Sequence, residues 1–217
     1  MSPPVFDRAF RAGLADLFAW RRDVRRFRTT PVDPALIADL RAQSELAPSV
    51  GDSRPWRWIA PDAAQRIAIR NNFAQCNAEA LADYEGERAK LYASLKLDGL
   101  DRSPVQFAVF CDRATTRGQG LGRKTMPQTL DYSVVGQIMM FWLAARAAGL
   151  GVGWVSIIDP DVVSAVLGQP QTFALIAYLC VGWPEEEHLD PELVRAGWVE
   201  GRGPALGASG VGDRNRT

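Results

Sequence analysis

Apolar positions along the chain follow two periods, one near 3.6 residues and one of short unbroken runs, and the two alternate. Phe6, Phe10, Leu14 and Leu17 recur at helical spacing and predict a first helix that runs into the stretch Trp20–Arg28. Asp33 and Pro34 form a strong helix start, a capping side chain followed by a proline suited to the first turn. The helix they open buries Leu36, Ile37 and Leu40 and fades by Ala47-Pro48. Small and polar residues from Ser49 to Pro55 read as a loop, and Trp56, Trp58 and Ile59 as a short strand. From Asp62, a possible cap, to about Leu95 the pattern is helical, with a break expected near Gly86.

Ser103-Pro104 closes the next loop, and Val105–Cys111 is a buried strand. Residues 113–126, rich in glycine, arginine and threonine, read as a mobile loop or lid. Residues 128–148 carry almost no polar face, so that helix must lie inside the domain or in a subunit interface. Gly149 is placed as its C-cap, and Gly151–Ile157 reads as a strand with a glycine-rich start. Asp159-Pro160 opens a short helix stopped by Gly168-Gln169-Pro170, and Thr172–Val181 is the last core strand. From Pro184 the chain reads as a polar tail, with about 200–217 a flexible end. No linker divides the pattern. It predicts a single α+β domain over residues 1–217, helices packed around a central sheet of about four strands, with the strand order left open.

Composition narrows the function by exclusion. Twenty-five basic and 25 acidic residues among 217 leave no global field, which argues against non-specific binding of nucleic acid or an anionic membrane. Cys76, Cys111 and Cys180 show no CxxC spacing, so a disulfide framework or thiolate zinc site does not fit and a reducing cytoplasm does. His188 is the single histidine, against multi-histidine metal sites and a Ser/His/Asp triad. The chain opens with no positively flanked apolar run and holds no apolar run of about 18 residues, so neither a signal peptide nor a membrane span is expected. A cytoplasmic domain without metal is the expectation.

Any anion site must then be local, and the arginines flanking Asp23 (Arg21, Arg22, Arg25, Arg26 and Arg28) are the candidate. Alone they read first as a solvated basic helix end, with a phosphate site as the alternative. Gly149-Leu150-Gly151-Val152-Gly153 follows a helix and enters a strand, the reverse of a dinucleotide fingerprint, so a helix stop with close backbone packing is preferred. Gly120–Lys124 lacks Walker spacing, and His188 reads as a surface residue. Trp56, Trp58, Phe141 and Trp142 are core or interface residues, or neighbours of a flat cofactor.

Segments 21–27, 47–56, 95–99 and 149–160, in this order, resemble flavin-binding, nitroreductase-like proteins. More narrowly they resemble the 5,6-dimethylbenzimidazole synthases, which make the lower ligand of vitamin B12. The likeness runs from about Phe18 to Trp198. Asp23, where ordinary nitroreductases usually carry serine, and the strand Gly153-Trp154-Val155-Ser156-Ile157 select this branch. Arg54 departs from the family's usual glutamine, and Asp98 from its commoner glutamate.

The resemblance implies a nitroreductase-like α+β fold with a central mixed sheet between helices, in an intertwined homodimer with FMN at the subunit interface. It implies that Arg21, Arg22, Val24 and Arg25 hold the flavin phosphate and edge. Ser49 and Ser53 would add hydroxyl or backbone contacts, Lys96 and Leu97 would meet the ring, and Ser156 would lie beside the N5 edge. In this family reduced FMN is consumed as substrate with O2, without metal, giving 5,6-dimethylbenzimidazole and D-erythrose 4-phosphate. Asp23 is then the proton-transferring group, ionised among its arginines, or else an ion pair that orients them. Ser156 hydrogen-bonds the flavin edge or merely packs. Two rivals remain, an NAD(P)H-dependent nitroreductase that keeps its flavin and a non-catalytic flavin carrier. With no nicotinamide fingerprint in the chain, a separate NAD(P)H-dependent flavin reductase is the expected source of reduced FMN.

Overall fold

Polar caps set the helix boundaries in the computed structural model, which describes residues 2–95 and 98–200. Asp33 accepts the Ala35 N–H at 2.8 Å with Pro34 in the first turn, and opens α2 (Pro34–Ser44). Asp62 and Gln65 form a reciprocal capping box at the start of α3 (Ala63–Ala82), with bonds of 2.8 and 2.9 Å. The long helical pattern breaks after Ala82 and resumes as α4 (Gly86–Ser94). The most apolar helix, α6 (Thr129–Ala147), ends on a full Schellman motif. Gly149, at φ +80°, donates to Arg146 and Leu150 donates to Ala145. Helices α1 (Arg8–Trp20), α5 (Gly99–Arg102), α7 (Pro160–Val166) and α8 (Glu192–Arg195) complete the set; the four-residue α5 and α8 are too short for periodicity to reveal.

Strands β1 (Trp56–Ile59), β2 (Val105–Asp112), β3 (Gly151–Val155) and β4 (Phe173–Gly182) form one sheet in the order β1-β2-β4-β3. Every neighbouring pair is antiparallel, where a mixed sheet was expected. The parallel pairing among the described residues is one isolated bridge, Asp23 with Val152, on the outer edge of β3. A segment before α2, not a strand in its own right, supplies it.

Alternation along the central strands sorts the core into two layers. Phe107, Val109 and Cys111 of β2 and Ala177, Leu179 and Val181 of β4 pack with Ile37 and Leu40 of α2 and with Val134, Ile138 and Phe141 of α6. The intervening Ala108, Phe110, Tyr178 and Cys180 face Ile69 of α3 and Val163 of α7, together with Phe27 and Leu100. The sheet is thus sandwiched between α2 and α6 on one side and α3 and α7 on the other. Among the described residues no helix is long and apolar enough to cross a membrane.

Part of the apolar surface finds no cover within one chain. Helix α1 buries no residue, and Phe6, Phe10 and Phe18 are each about half exposed. On α6 one face lies on the sheet while Tyr132 and Val135 on another are exposed.

Two segments differ from expectation. The 113–126 loop folds a short turn at Arg117–Gly120 that docks on the turn at Val50–Asp52. Arg117 donates to the Asp52 carbonyl and carboxylate at 2.8 Å each, and a side chain at Gly118 would meet the Gly51 carbonyl at 2.3 Å. The stretch after Pro184 is no free tail as far as Glu200. Phe27 bridges Pro184, Glu186 pairs with Arg26 and Arg195, and Trp198 seats against Tyr84 and Tyr92 under the Arg88 guanidinium. Its partners are distant in sequence, so local composition gives no sign of them. The end expected to be flexible, 201–217, lies outside the described residues.

Candidate functional site

Close backbone contact builds the site. Val24 donates to the Val152 carbonyl at 3.0 Å, laying the 21–25 segment along the free edge of β3. That approach requires small residues on β3. A side chain at Gly153 would stand 2.1 Å from the Val24 carbonyl oxygen, and one at Gly151 would stand 2.7 Å from the Val24 side chain. The glycine-rich start of the strand therefore serves packing, as the helix-to-strand context implies.

With the segment in place, Asp23 Oδ1 accepts the Trp154 N–H at 2.8 Å and Oδ2 pairs with Arg25 Nε at 3.3 Å. Burial raises the Asp23 carboxyl above its usual range, against the pull of the Trp154 N–H, Arg25 and Arg21. In the direction of the shift, desolvation outweighs the neighbouring arginines. The carboxyl is not sealed, because 38% of its side chain remains exposed.

The arginines divide their work. Arg21 lies over the Trp142 ring at 5.3 Å. Arg22 donates to the Leu189 and Arg21 carbonyls at 2.6 and 2.7 Å. Burial and Arg21 lower the proton affinity of Arg22. Arg26 is matched by Glu186 and, at 3.9 Å, by Glu192. Arg21 and Arg22 form no ion pair within 4 Å among the described residues, though the Asp190 carboxylate acts on Arg22 from further off.

Two clefts flank the segment. One, of about 490 Å³, is lined by Asp23, Val24, Arg25 and Ser156, with Phe73, Gly99, Leu100 and Cys180 as further wall. Ser156 is exposed in the turn after β3, on the same cleft as Asp23. The other, of about 570 Å³, holds Arg22, Arg25, Arg26 and Trp142 with Glu186 and His188 of the C-terminal segment. Burial pushes the Cys180 thiol up to about 12, so it is inert wall. Helix α3 gave no signal that Phe73 faces a site. The segment 95–99 included Gly99 but not Leu100, and the run after Pro184 looked like solvent-facing charge.

Ser49 and Ser53 lie elsewhere. Ser49 Oγ accepts the Arg54 N–H at 3.1 Å, and the buried Ser53 Oγ has no partner among the described residues. Both precede β1, which pairs at Trp56 with Cys111, while Val152 of β3 pairs with Val181 and through it with Val105. The serines and Asp23 therefore occupy diagonally opposite corners of the sheet, roughly 19 Å apart across the strands and ~20 Å along them. Arg54, at φ +43°, pairs with Asp52 at 3.0 Å. Lys96 and Leu97 lie outside the described residues.

Comparison with known proteins bears on this geometry. The family model described as "Nitroreductase family" matches residues 18–183. A 5,6-dimethylbenzimidazole synthase of Rhodospirillum rubrum is 56% identical over 200 residues, 92% of this chain and 95% of its own. Another of that name from Rhodobacter capsulatus is 47% identical over 196 residues, 90% of this chain and 95% of its own. A crystal structure of oxidised iodotyrosine deiodinase bound to FMN and 3-iodo-L-tyrosine superposes with a TM-score of 0.67 at 20% identity, covering 81% of this chain and 91% of that one, and so shares the fold.

Proposed function

We propose, since this chain belongs to the nitroreductase family, that it is an aerobic 5,6-dimethylbenzimidazole synthase, an oxidoreductase that fragments reduced FMN with O2. The products are 5,6-dimethylbenzimidazole, the lower ligand of cobalamin, and D-erythrose 4-phosphate. The observation that carries the reading is Asp23, fixed by the Trp154 N–H on the same cleft as Ser156, in a chain 45–56% identical to synthases of that name. Carbon accounting agrees. The dimethylbenzene ring survives, the first ribityl carbon becomes the carbon between the two nitrogens, and the remaining ribityl carbons leave with the phosphate.

The residues present fit FMN. Among the described residues Arg21 and Arg22 form no close ion pair beside Arg25, which suits a phosphate, and the buried Ser53 hydroxyl has no hydrogen-bond partner. Bound reduced FMN supplies both the electrons that reduce O2 and the carbon that becomes product. Arg21, Arg22 and Arg25 neutralise its phosphate, and Val24 and the β3 edge set its depth. Asp23 exchanges protons with the ribityl side, and burial raises its proton affinity. Ser156 offers a hydroxyl to the flavin edge.

A homodimer completes the site. Ser49 and Ser53 cannot reach the Asp23 corner of their own sheet, so a second copy supplies them. The apolar face of α1 and the Tyr132–Val135 face of α6 are the surfaces a partner would cover. A separate NAD(P)H-dependent flavin reductase provides reduced FMN, in a cytoplasm where the free thiols of Cys76, Cys111 and Cys180 stay reduced.

The test is to mix protein, FMN, a reductant and air, then follow flavin absorbance and the mass spectrum. Irreversible bleaching with a dimethylbenzimidazole mass is expected. Full flavin recovery with NAD(P)H oxidation would make the protein a reductase, and recovery without turnover a carrier.

A further inference from the structure

We infer that Asn72 is a positioning residue for Ser156, acting through the backbone of Asp159. The inference rests on the synthase reading. Asn72 and Ile69 are the buried residues of α3, and Asn72 is only 8% exposed. A buried amide must place its hydrogen bonds. Asn72 Oδ1 accepts the Asp159 main-chain N–H at 2.9 Å, across 87 positions of sequence.

That N–H belongs to the N-cap of α7. In a capping box it is satisfied by Glu or Gln at the third helical position. Here that position is Val162, which cannot accept, and its side chain is exposed. Asp159 still caps the helix with its own carboxylate, accepting from Asp161 and Val162 at 2.8 and 3.3 Å, and Pro160 fills the first turn. Helix α7 therefore starts without Asn72. The tie does something else, fixing the end of the turn to α3.

Ser156 stands in the turn between two fixed points. At one end Val155 pairs with Tyr178 in the sheet, and at the other Asp159 is held by Asn72. The Ser156 hydroxyl makes no hydrogen bond among the described residues, so its place is set by those two ends. The next residue on α3, Phe73, walls the cleft on which Ser156 and Asp23 sit. One helix thus shapes the cleft and fixes the residue opposite.

The experiment compares wild type, Asn72→Leu, Asn72→Asp, and Asn72→Leu combined with Val162→Gln. Asn72→Asp keeps the acceptor; the double variant restores a local cap without the tie to α3. Each is measured for melting temperature, FMN affinity, and the fraction of reduced FMN that becomes benzimidazole and not reoxidised FMN. In Asn72→Leu that fraction should fall ~10- to 100-fold with FMN affinity little changed, because misplacement of a reacting group by an ångström costs this much. Asn72→Asp should recover it, and the double variant should recover melting temperature but not yield. Unchanged yield in Asn72→Leu, or full yield in the double variant, overturns the inference. If wild type forms no benzimidazole, the synthase reading has failed. The tie is then read from amide exchange over 156–159, which must accelerate in Asn72→Leu and not in Asn72→Asp; unchanged exchange overturns it.

Discussion

The carbonyl oxygen of Val24 occupies the space where a side chain on Gly153 would stand, 2.1 Å from the first carbon of such a side chain. Backbone cannot give way as a flexible side chain can, so the 21–25 segment lies against β3 only because that position is glycine. Everything attributed to Asp23 depends on this contact.

Gly153→Ala should therefore push the segment off β3, break the bond from Trp154 to Asp23, and abolish both FMN binding and product. The destabilisation should be about 1–3 kcal/mol, the usual cost of overpacking. Flavin fluorescence titration and a thermal melt check it. Tight FMN binding by the variant would show that the contact is not needed.

Asp23→Asn should bind FMN but yield little benzimidazole. Stability gives an independent reading with a definite sign. A carboxyl whose proton affinity is raised in the folded state contributes stability at low pH, where it is protonated, and loses that contribution as pH rises through its folded value. At neutral pH the Asn variant should thus melt no lower than wild type, and wild type should lose its relative advantage between acid and neutral pH. A clear drop in the variant's melting temperature at pH 7 would make Asp23 a structural ion pair.

Glu186 has the opposite sign. His188, Arg26 and Arg195 draw its carboxyl down to about 2. The stability it contributes is present above the ordinary glutamate value and is lost as pH falls toward 2. Glu186→Gln should flatten that acid limb and make the segment after Pro184 more open to limited proteolysis at pH 7. Melting curves across the acid range and a digestion time course test both.

Val135→Glu on the uncovered face of α6 should convert a dimer to monomer and remove FMN binding, while the fold survives. Sedimentation and circular dichroism separate the effects. A dimer that persists and binds FMN would move the interface elsewhere.

Much of the fold was legible where its causes are local. Asp33, Asp62 and Asp159 announce their helices because a cap acts within a turn, and the buried runs of β2 and β4 stand out because both faces are covered. Strand order and the antiparallel sheet were not legible, since pairing partners lie far apart in sequence. The segment after Pro184 looked free because Arg26, Arg146 and Arg22, which hold it, come from elsewhere in the chain. At the site, the neighbouring arginines are visible in sequence but the burial of Asp23 is not, and burial decides the direction of its shift. Asp23 and Ser156 do share a cleft, whereas Ser49 and Ser53 fall at the far corner.

That diagonal separation has a genetic consequence. If each site takes Asp23 from one copy and Ser49 and Ser53 from the other, two inactive alleles damaged at different corners complement each other. In a mixed dimer both lesions fall in one site and the second site is left whole. Co-expressed Asp23→Asn and serine-corner variants should then regain activity that neither has alone, at up to half the wild-type level per mixed dimer.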